Sequence, residues 1–148
     1  MQIIALKPEH LLAVQMQPAQ AWSAACMTPA MAQEVAAGSV VGATAVQGGC
    51  VIACAGLIEL HPGRAQAWAM FACQALAHFK TIHRVVGAVL SASRWRRIEM
   101  YVDCQHEAAC RWAARLGFDR EGRLRAVTPD GRDCYLYARM TQTQDKEH

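Results

Sequence analysis

Arg97-Ile98-Glu99-Met100-Tyr101-Val102 alternates polar with apolar side chains, and the chain then changes period over Glu107 to Leu116 before stopping at Gly117-Phe118. The first stretch reads as a half-buried strand, because successive strand side chains point to opposite faces. The second reads as a helix. Ala108, Ala109, Trp112, Ala113 and Leu116 fall on one face, while Glu107, Arg111 and Arg115 stack four apart on another. Gly117 supplies the left-handed stop.

The same reading extends in both directions. Towards the C-terminus, Gly122 to Val127 and Arg132 to Met140 form a hairpin around Thr128-Pro129-Asp130-Gly131, with Pro and Gly where a turn needs them. Residues 141–148 are a polar, frayed tail. Towards the N-terminus, Leu76, Phe79, Ile82, Val86, Val89 and Leu90 recur at steps of three and four, which predicts the longest helix over Ala75 to Ala92. Gln66 to Phe71 reads as a strand after the break His61-Pro62-Gly63-Arg64. Ser39 to Gln47 and Cys50 to Leu60 make a hairpin about Gly48-Gly49. A helix runs from Pro29 to near Gly38 with Thr28 as N-cap, and another from Pro8 to Val14. Met1 to Leu6 is a short opening strand. The order is strand, two helices, three strands, helix, strand, helix, two strands. This is one α/β domain over residues 1–148, with a mixed sheet of about seven strands and about four helices.

Composition narrows the class. The chain has 148 residues, 53% hydrophobic and 18% charged, enough apolar character for one core and too much for disorder. The net charge of +3 does not by itself mark a nucleic-acid binder. Residues 61–148 carry 14 positive against nine negative groups, so an anionic partner is expected there. Seven cysteines are an odd count, and the opening Met1-Gln2-Ile3-Ile4-Ala5-Leu6 lacks the layout of a secretory signal. Reduced thiols and a cytoplasmic location are the expectation. The uncharged stretch from Val35 to Ile58 is broken by Gly38, Gly42, Gly48, Gly49 and Gly56, and reads as strands rather than a membrane span.

Few residues announce chemistry on their own. His83 sits in an apolar helical stripe, and Trp68 and Trp112 read as packing anchors. Cys104, His106 and Cys110 have only two members on a shared helical face, too few for zinc. Cys50 and Cys54 are separated by roughly 13 Å along a strand, too far to share a metal or a disulfide. No metal is expected. Neither a nucleophile elbow nor a Gly-x4-Gly-Lys loop occurs. Arg94, Arg96 and Arg97 with Trp95 form the densest basic cluster, but without a known nucleic-acid reader motif.

The segment Arg97 to Val102, followed by His106-Glu107-Ala108-Ala109, Leu116-Gly117-Phe118 and Glu121-Gly122-Arg123-Leu124-Arg125, resembles the GNAT superfamily of N-acetyltransferases, closely over residues 97–140 and by element order before that. The resemblance implies a twisted sheet that splays between its fourth and fifth strands. Acetyl-CoA would lie as cosubstrate in the gap, along Met70, Phe71 and Ala72 of the fourth strand. Its pyrophosphate would meet the start of the next helix at Ala77, His78, Phe79, Lys80 and Thr81, where unpaired amides and the helix dipole favour anions. His106 stands where the family commonly has Asn.

Other positions depart from the family pattern. The Gly-rich phosphate loop is missing, since no glycine lies between Gly63 and Gly87. The family's frequent general acid Tyr aligns with Ala113, leaving Tyr101, Cys104, Tyr135 or Tyr137 as alternatives. The base would come from Glu59 or His61, with Glu99 behind them. Two functions follow. One is an acetyl-CoA-dependent N-acetyltransferase acting on a small-molecule or protein amine. The other, from a likeness to GNAT-like proteins of phage and prophage gene clusters, is a weakly catalytic or inactive interaction module, associated with protein partners or a virion. Neither a membrane nor a nucleic acid is an expected partner.

Overall fold

The computed structural model describes residues 1–141; the remainder of the expected tail lies outside the described residues. Seven strands and five α-helices follow one another along the chain. They are β1 (Gln2–Ala5), α1 (Pro8–Ala13), α2 (Ala21–Cys26), α3 (Pro29–Gly38), β2 (Ser39–Gln47), β3 (Cys50–His61), β4 (Arg64–Phe71), α4 (Phe79–Ala92), β5 (Arg97–Asp103), α5 (Glu107–Arg115), β6 (Asp119–Leu124) and β7 (Cys134–Met140). One mixed sheet takes all the strands in the order β1-β2-β3-β4-β5-β7-β6. Every neighbouring pair is antiparallel except β4 and β5.

The local signals act as their chemistry demands. Thr28 caps α3 by accepting a hydrogen bond from the Met31 N–H, and Pro29 takes the first helical position. Gly48 and Gly49 both have positive φ in the β2–β3 turn, which lets the hairpin close in two residues. Alternation along the strands divides the core into two layers. Leu57, Ala65, Ile98 and Val102 face Leu90 of α4 and Ala113 and Leu116 at α5. Cys54 and Met70 face Leu11, Val14 and Ala32 on the other side, beneath α1 and α3. Fully buried side chains such as Leu11 and Ile98 each contribute about 1.5–3 kcal/mol by leaving water.

The expected α/β class and seven-stranded mixed sheet are present, and two boundaries need correction. The helices number five where about four were expected, because α2 forms after a 3-10 turn at Pro18–Gln20. Its sequence, Ala-Trp-Ser-Ala-Ala-Cys, lacks charged residues and a capping side chain, so nothing in the periodicity announces it. The long helix does not begin at Ala75. A 3-10 turn spans Cys73–His78 and α4 starts at Phe79. The last hairpin is displaced, with its first strand at Asp119–Leu124 rather than Gly122 to Val127 and its second starting at Cys134 rather than Arg132. The turn forms at Thr128 to Gly131, with the Gly131 N–H donating to the Thr128 carbonyl at 2.9 Å, but residues 125–133 are a loop fastened to Asp133 and Thr128 rather than strand.

The feature that positions the site is the short parallel pairing of β4 with β5. Only Arg64 with Arg97, Ala65 with Ile98, and Gln66 with Glu99 are paired, and beyond them the two strands separate. An ion-pair ladder fastens this vertex. Glu99 is 1% exposed and accepts hydrogen bonds from Arg64 on β4 and from Arg97 Nε at 2.7 Å. Arg97 reaches on to Glu121 of β6 at 3.0 and 2.6 Å. Burial pushes the Glu99 carboxyl pKa up, but the two guanidiniums outweigh it and hold the group below the ordinary glutamate value.

Candidate functional site

Where β4 and β5 part, a crevice of about 200 Å³ opens through the sheet. On the β3 and β4 side the small residues Ala55, Gly56, Ala67 and Ala69 line it together with the larger Leu57, Trp68 and Phe71. The alanines and the glycine leave room between the larger side chains. A Cβ at Gly56 would come within 2.7 Å of Trp68 Nε1 and 2.8 Å of the Val41 carbonyl, so only glycine fits under that indole. Met100 and Tyr101 of β5 line the opposite side, Val86 and Val89 of α4 close one face, and Ala19, Gln20 and Trp22 bound the other.

A second hollow of about 240 Å³ lies between the Cys73–His78 turn and α5. Phe71, His106, Ala109 and Trp112 wall both spaces, so the two hollows adjoin across these side chains, and the pair is the candidate passage from the fork of the sheet to the surface. Trp112 narrows it. Its ring packs edge-on against Phe71 at 5.3 Å and Phe79 at 5.2 Å, and its Nε1 donates to His83 Nδ1 at 3.0 Å. Arg111 and Arg115 stand at the outer end.

The edge of β4 inside the crevice is occupied by the chain itself. Gln20 Nε2 donates to the Ala69 carbonyl at 2.8 Å, and the Phe71 N–H donates to Gln20 Oε1 at 2.9 Å. The Gln17 N–H donates to the Phe71 carbonyl at 2.7 Å. Ala72, one residue on, turns the opposite way and donates to the Ile52 carbonyl at 2.9 Å.

The residues singled out from the sequence are divided by this geometry. Phe71, Phe79, His106 and Tyr101 line the passage. Met70 and Ala72 do not, because they point into the layer beneath α1 and α3. Ala77, His78, Lys80 and Thr81 lie outside it. The expected cradle of free amides is also reduced, because the 3-10 turn uses the Ala75 N–H on the Ala72 carbonyl and the Phe79 N–H on the Leu76 carbonyl. Glu59 and His61 are exposed at the β3–β4 turn, at the closed end of the fork, and line neither space. Glu99 is consumed by its arginines.

Tyr137 is 3% exposed and its hydroxyl accepts from Arg120 Nη2 at 2.9 Å, away from the crevice. Burial raises its pKa against the opposing pull of Arg120. His106 is different: burial lowers its pKa, with Asp103 pulling the other way, so the imidazole is neutral at neutral pH. The buried Cys54 thiol is pushed up to about 11 by burial and is inert as a nucleophile. Among the described residues no three His, Cys, Asp or Glu side chains converge on a metal position.

Sequence reading missed Gln20, Trp22, Arg111 and Arg115. The two arginines were visible as a stacked helical face, but the same spacing describes any solvated face. Gln17-Pro18-Ala19-Gln20 carries no signal that would send a side chain to a strand about fifty residues away.

No family model matches the sequence, and no curated protein matches it. Solved structures do. Ard1 from Thermoplasma volcanium superposes with a TM-score of 0.77 at 11% identity, covering 96% of this chain and 98% of that one. The ribosomal-protein-S18-alanine N-acetyltransferase from Escherichia coli gives 0.71 at 14% identity, covering 99% and 98%. A GNAT-family acetyltransferase from Bacillus anthracis gives 0.67 at 13%, covering 93% of each. None of these three is described as a phage protein, and the likeness to phage-encoded members gains no support. Among the described residues no helix is long and apolar enough to cross a membrane. The element order, the fork between β4 and β5 and these superpositions agree: the chain has the GNAT N-acetyltransferase fold, in a divergent form.

Proposed function

We propose that the protein is an N-acetyltransferase that takes acetyl-CoA into the passage and transfers its acetyl group to an amine. The observation that carries this reading is the adjacency of the two hollows across Phe71, His106, Ala109 and Trp112, the one apolar at the fork and the other flanked by Arg111 and Arg115. A long ligand with a thioester at one end and phosphates at the other matches that polarity. The small walls Ala67, Ala69 and Gly56 give the thin arm room. Acetyl-CoA supplies the acyl group in activated form; the chain supplies position and proton handling. Neutral His106 takes a proton from the incoming ammonium, and Tyr101, 44% exposed on the crevice wall, returns one to the departing sulfur. The acceptor enters past Trp22 and is a small-molecule amine or a protein amine.

With the glycine-rich loop replaced by a 3-10 turn, phosphate recognition moves to α5. Replacing Arg111 and Arg115 together by Gln is expected to weaken CoA binding about tenfold at low salt, and less at high salt, because both side chains are exposed. Binding of phosphate-free pantetheine should be unchanged, and calorimetric titration of both ligands checks this. Because burial depresses the His106 pKa, the rate should fall only as pH drops below the ordinary histidine value of 6.5, and a pH–rate profile reads the midpoint.

Thermal-shift titration with acetyl-CoA and CoA tests the reading as a whole. Millimolar cofactor should raise the melting temperature by about 2–5 °C by mass action. Absence of a shift would favour a non-catalytic interaction module, the reading to which the filled β4 edge and the missing phosphate loop would then belong.

A further inference from the structure

Residues 16–20 lie along the edge of β4 beyond the point where β5 leaves it, against Ala69 to Ala72. Met16 makes an isolated antiparallel bridge to Ala72, the Gln17 N–H donates to the Phe71 carbonyl, and Gln20 closes the contact with its side chain. The Gln20 carboxamide acts there as a peptide group would, accepting from the Phe71 N–H and donating to the Ala69 carbonyl. These two β4 groups look into the crevice, and Gln20 is itself part of its wall. An acyl-thioester arm carrying secondary amides, laid in the fork, needs the same donor and acceptor.

We propose that residues 16–20 are a latch on the donor slot, with Gln20 holding the β4 edge until the amide-bearing arm displaces it. The inference rests on the acetyl-CoA reading above and adds a regulatory contact to it. The latch pairs the Ala69 carbonyl and the Phe71 N–H, both half-buried, while the slot is free of ligand. Donor affinity therefore measures the difference between two sets of hydrogen bonds, not the strength of one. The contact is short and local. Pro18 begins the 3-10 turn that carries Gln20, and the ladder between this segment and β4 extends no further than the Met16–Ala72 bridge, so release breaks few bonds.

The test compares wild type, Gln20→Ala and Gln20→Glu by calorimetric titration with CoA and with free pantetheine. Gln20→Ala is expected to bind both ligands about tenfold more tightly, the ratio that two lost competing hydrogen bonds would give. Gln20→Glu keeps an acceptor for the Phe71 N–H but sets a carboxylate against the Ala69 carbonyl, and its affinity for pantetheine should also exceed that of wild type. Hydrogen exchange at the Phe71 amide should be faster in free Gln20→Ala than in free wild type and slow again when CoA is added. Equal or weaker binding by both folded variants, with wild type still binding CoA, would overturn the latch alone. Failure of wild type and both variants to bind CoA at millimolar concentration would overturn the donor reading and the latch with it.

Discussion

Glu99→Gln is expected to lower the stability of the domain by about 2–3 kcal/mol, measured by urea denaturation at neutral pH. Removing one member of a buried ion pair leaves its partners charged and poorly compensated, a loss of about 3–5 kcal/mol when all are buried. Glu99 is 1% exposed, but its partners Arg64 and Arg97 retain 41% and 25% side-chain exposure and can turn partly to water, which reduces the cost. The pH dependence has a definite sign. The folded-state pKa of Glu99 is held below the ordinary value of 4.5, so its contribution is fully present above that pH and disappears as pH falls through the folded value. The stability gap between wild type and Glu99→Gln should therefore close below about pH 4.5. A gap under about 0.5 kcal/mol at neutral pH would show that the vertex of the fork is held by packing and strand pairing, and that the ladder is incidental.

Ala69→Trp is expected to weaken CoA binding by about 100-fold or more while leaving a folded protein. Ala69 is half-buried on the crevice wall, which Met100 also lines, and its own carbonyl is the one that Gln20 holds. An indole there would fill the room that the alanine leaves, and a ligand cannot share the same volume. Forcing large groups into a well-packed core costs about 1–3 kcal/mol, but this position faces a space that can absorb part of the added volume. Melting within a few degrees of wild type, together with the loss of any CoA-induced shift, is the expected pair of results. Retained affinity in a folded variant would place the ligand elsewhere, or nowhere.

Much of the fold is legible in the sequence because its strongest signals are local. The alternation over Arg97 to Val102, the amphipathic spacing of Glu107 to Leu116, and the turn glycines at Gly48, Gly49 and Gly117 each impose a conformation without outside help. α2 escapes notice because its side chains are small or apolar all round and its ends are uncapped. The start of α4 is misread because Leu76 keeps helical spacing with Phe79 even though the backbone there is wound into a 3-10 turn, with Leu76 67% exposed.

The site is less legible than the fold, for a related reason. Titratable residues near strand ends, such as Glu59 and His61, look available in sequence, but which end of the fork they occupy depends on the sheet order. Glu99 reads as a candidate base and is instead a fully paired structural charge. Gln20 acts through a carboxamide, a group too common in sequence to stand out, on a partner that only the tertiary structure supplies.

The proposed acyl-thioester donor lies where β4 and β5 separate. Titrating ¹⁵N-labelled protein with CoA, and following the backbone amides, tests it most directly. The expected result is a saturable set of shifts at Ala67, Ala69, Phe71, Met100 and His106, with the Gln20 side-chain amide moving in step. Shifts confined to the basic segment Arg94 to Arg97, or none at millimolar CoA, would contradict it.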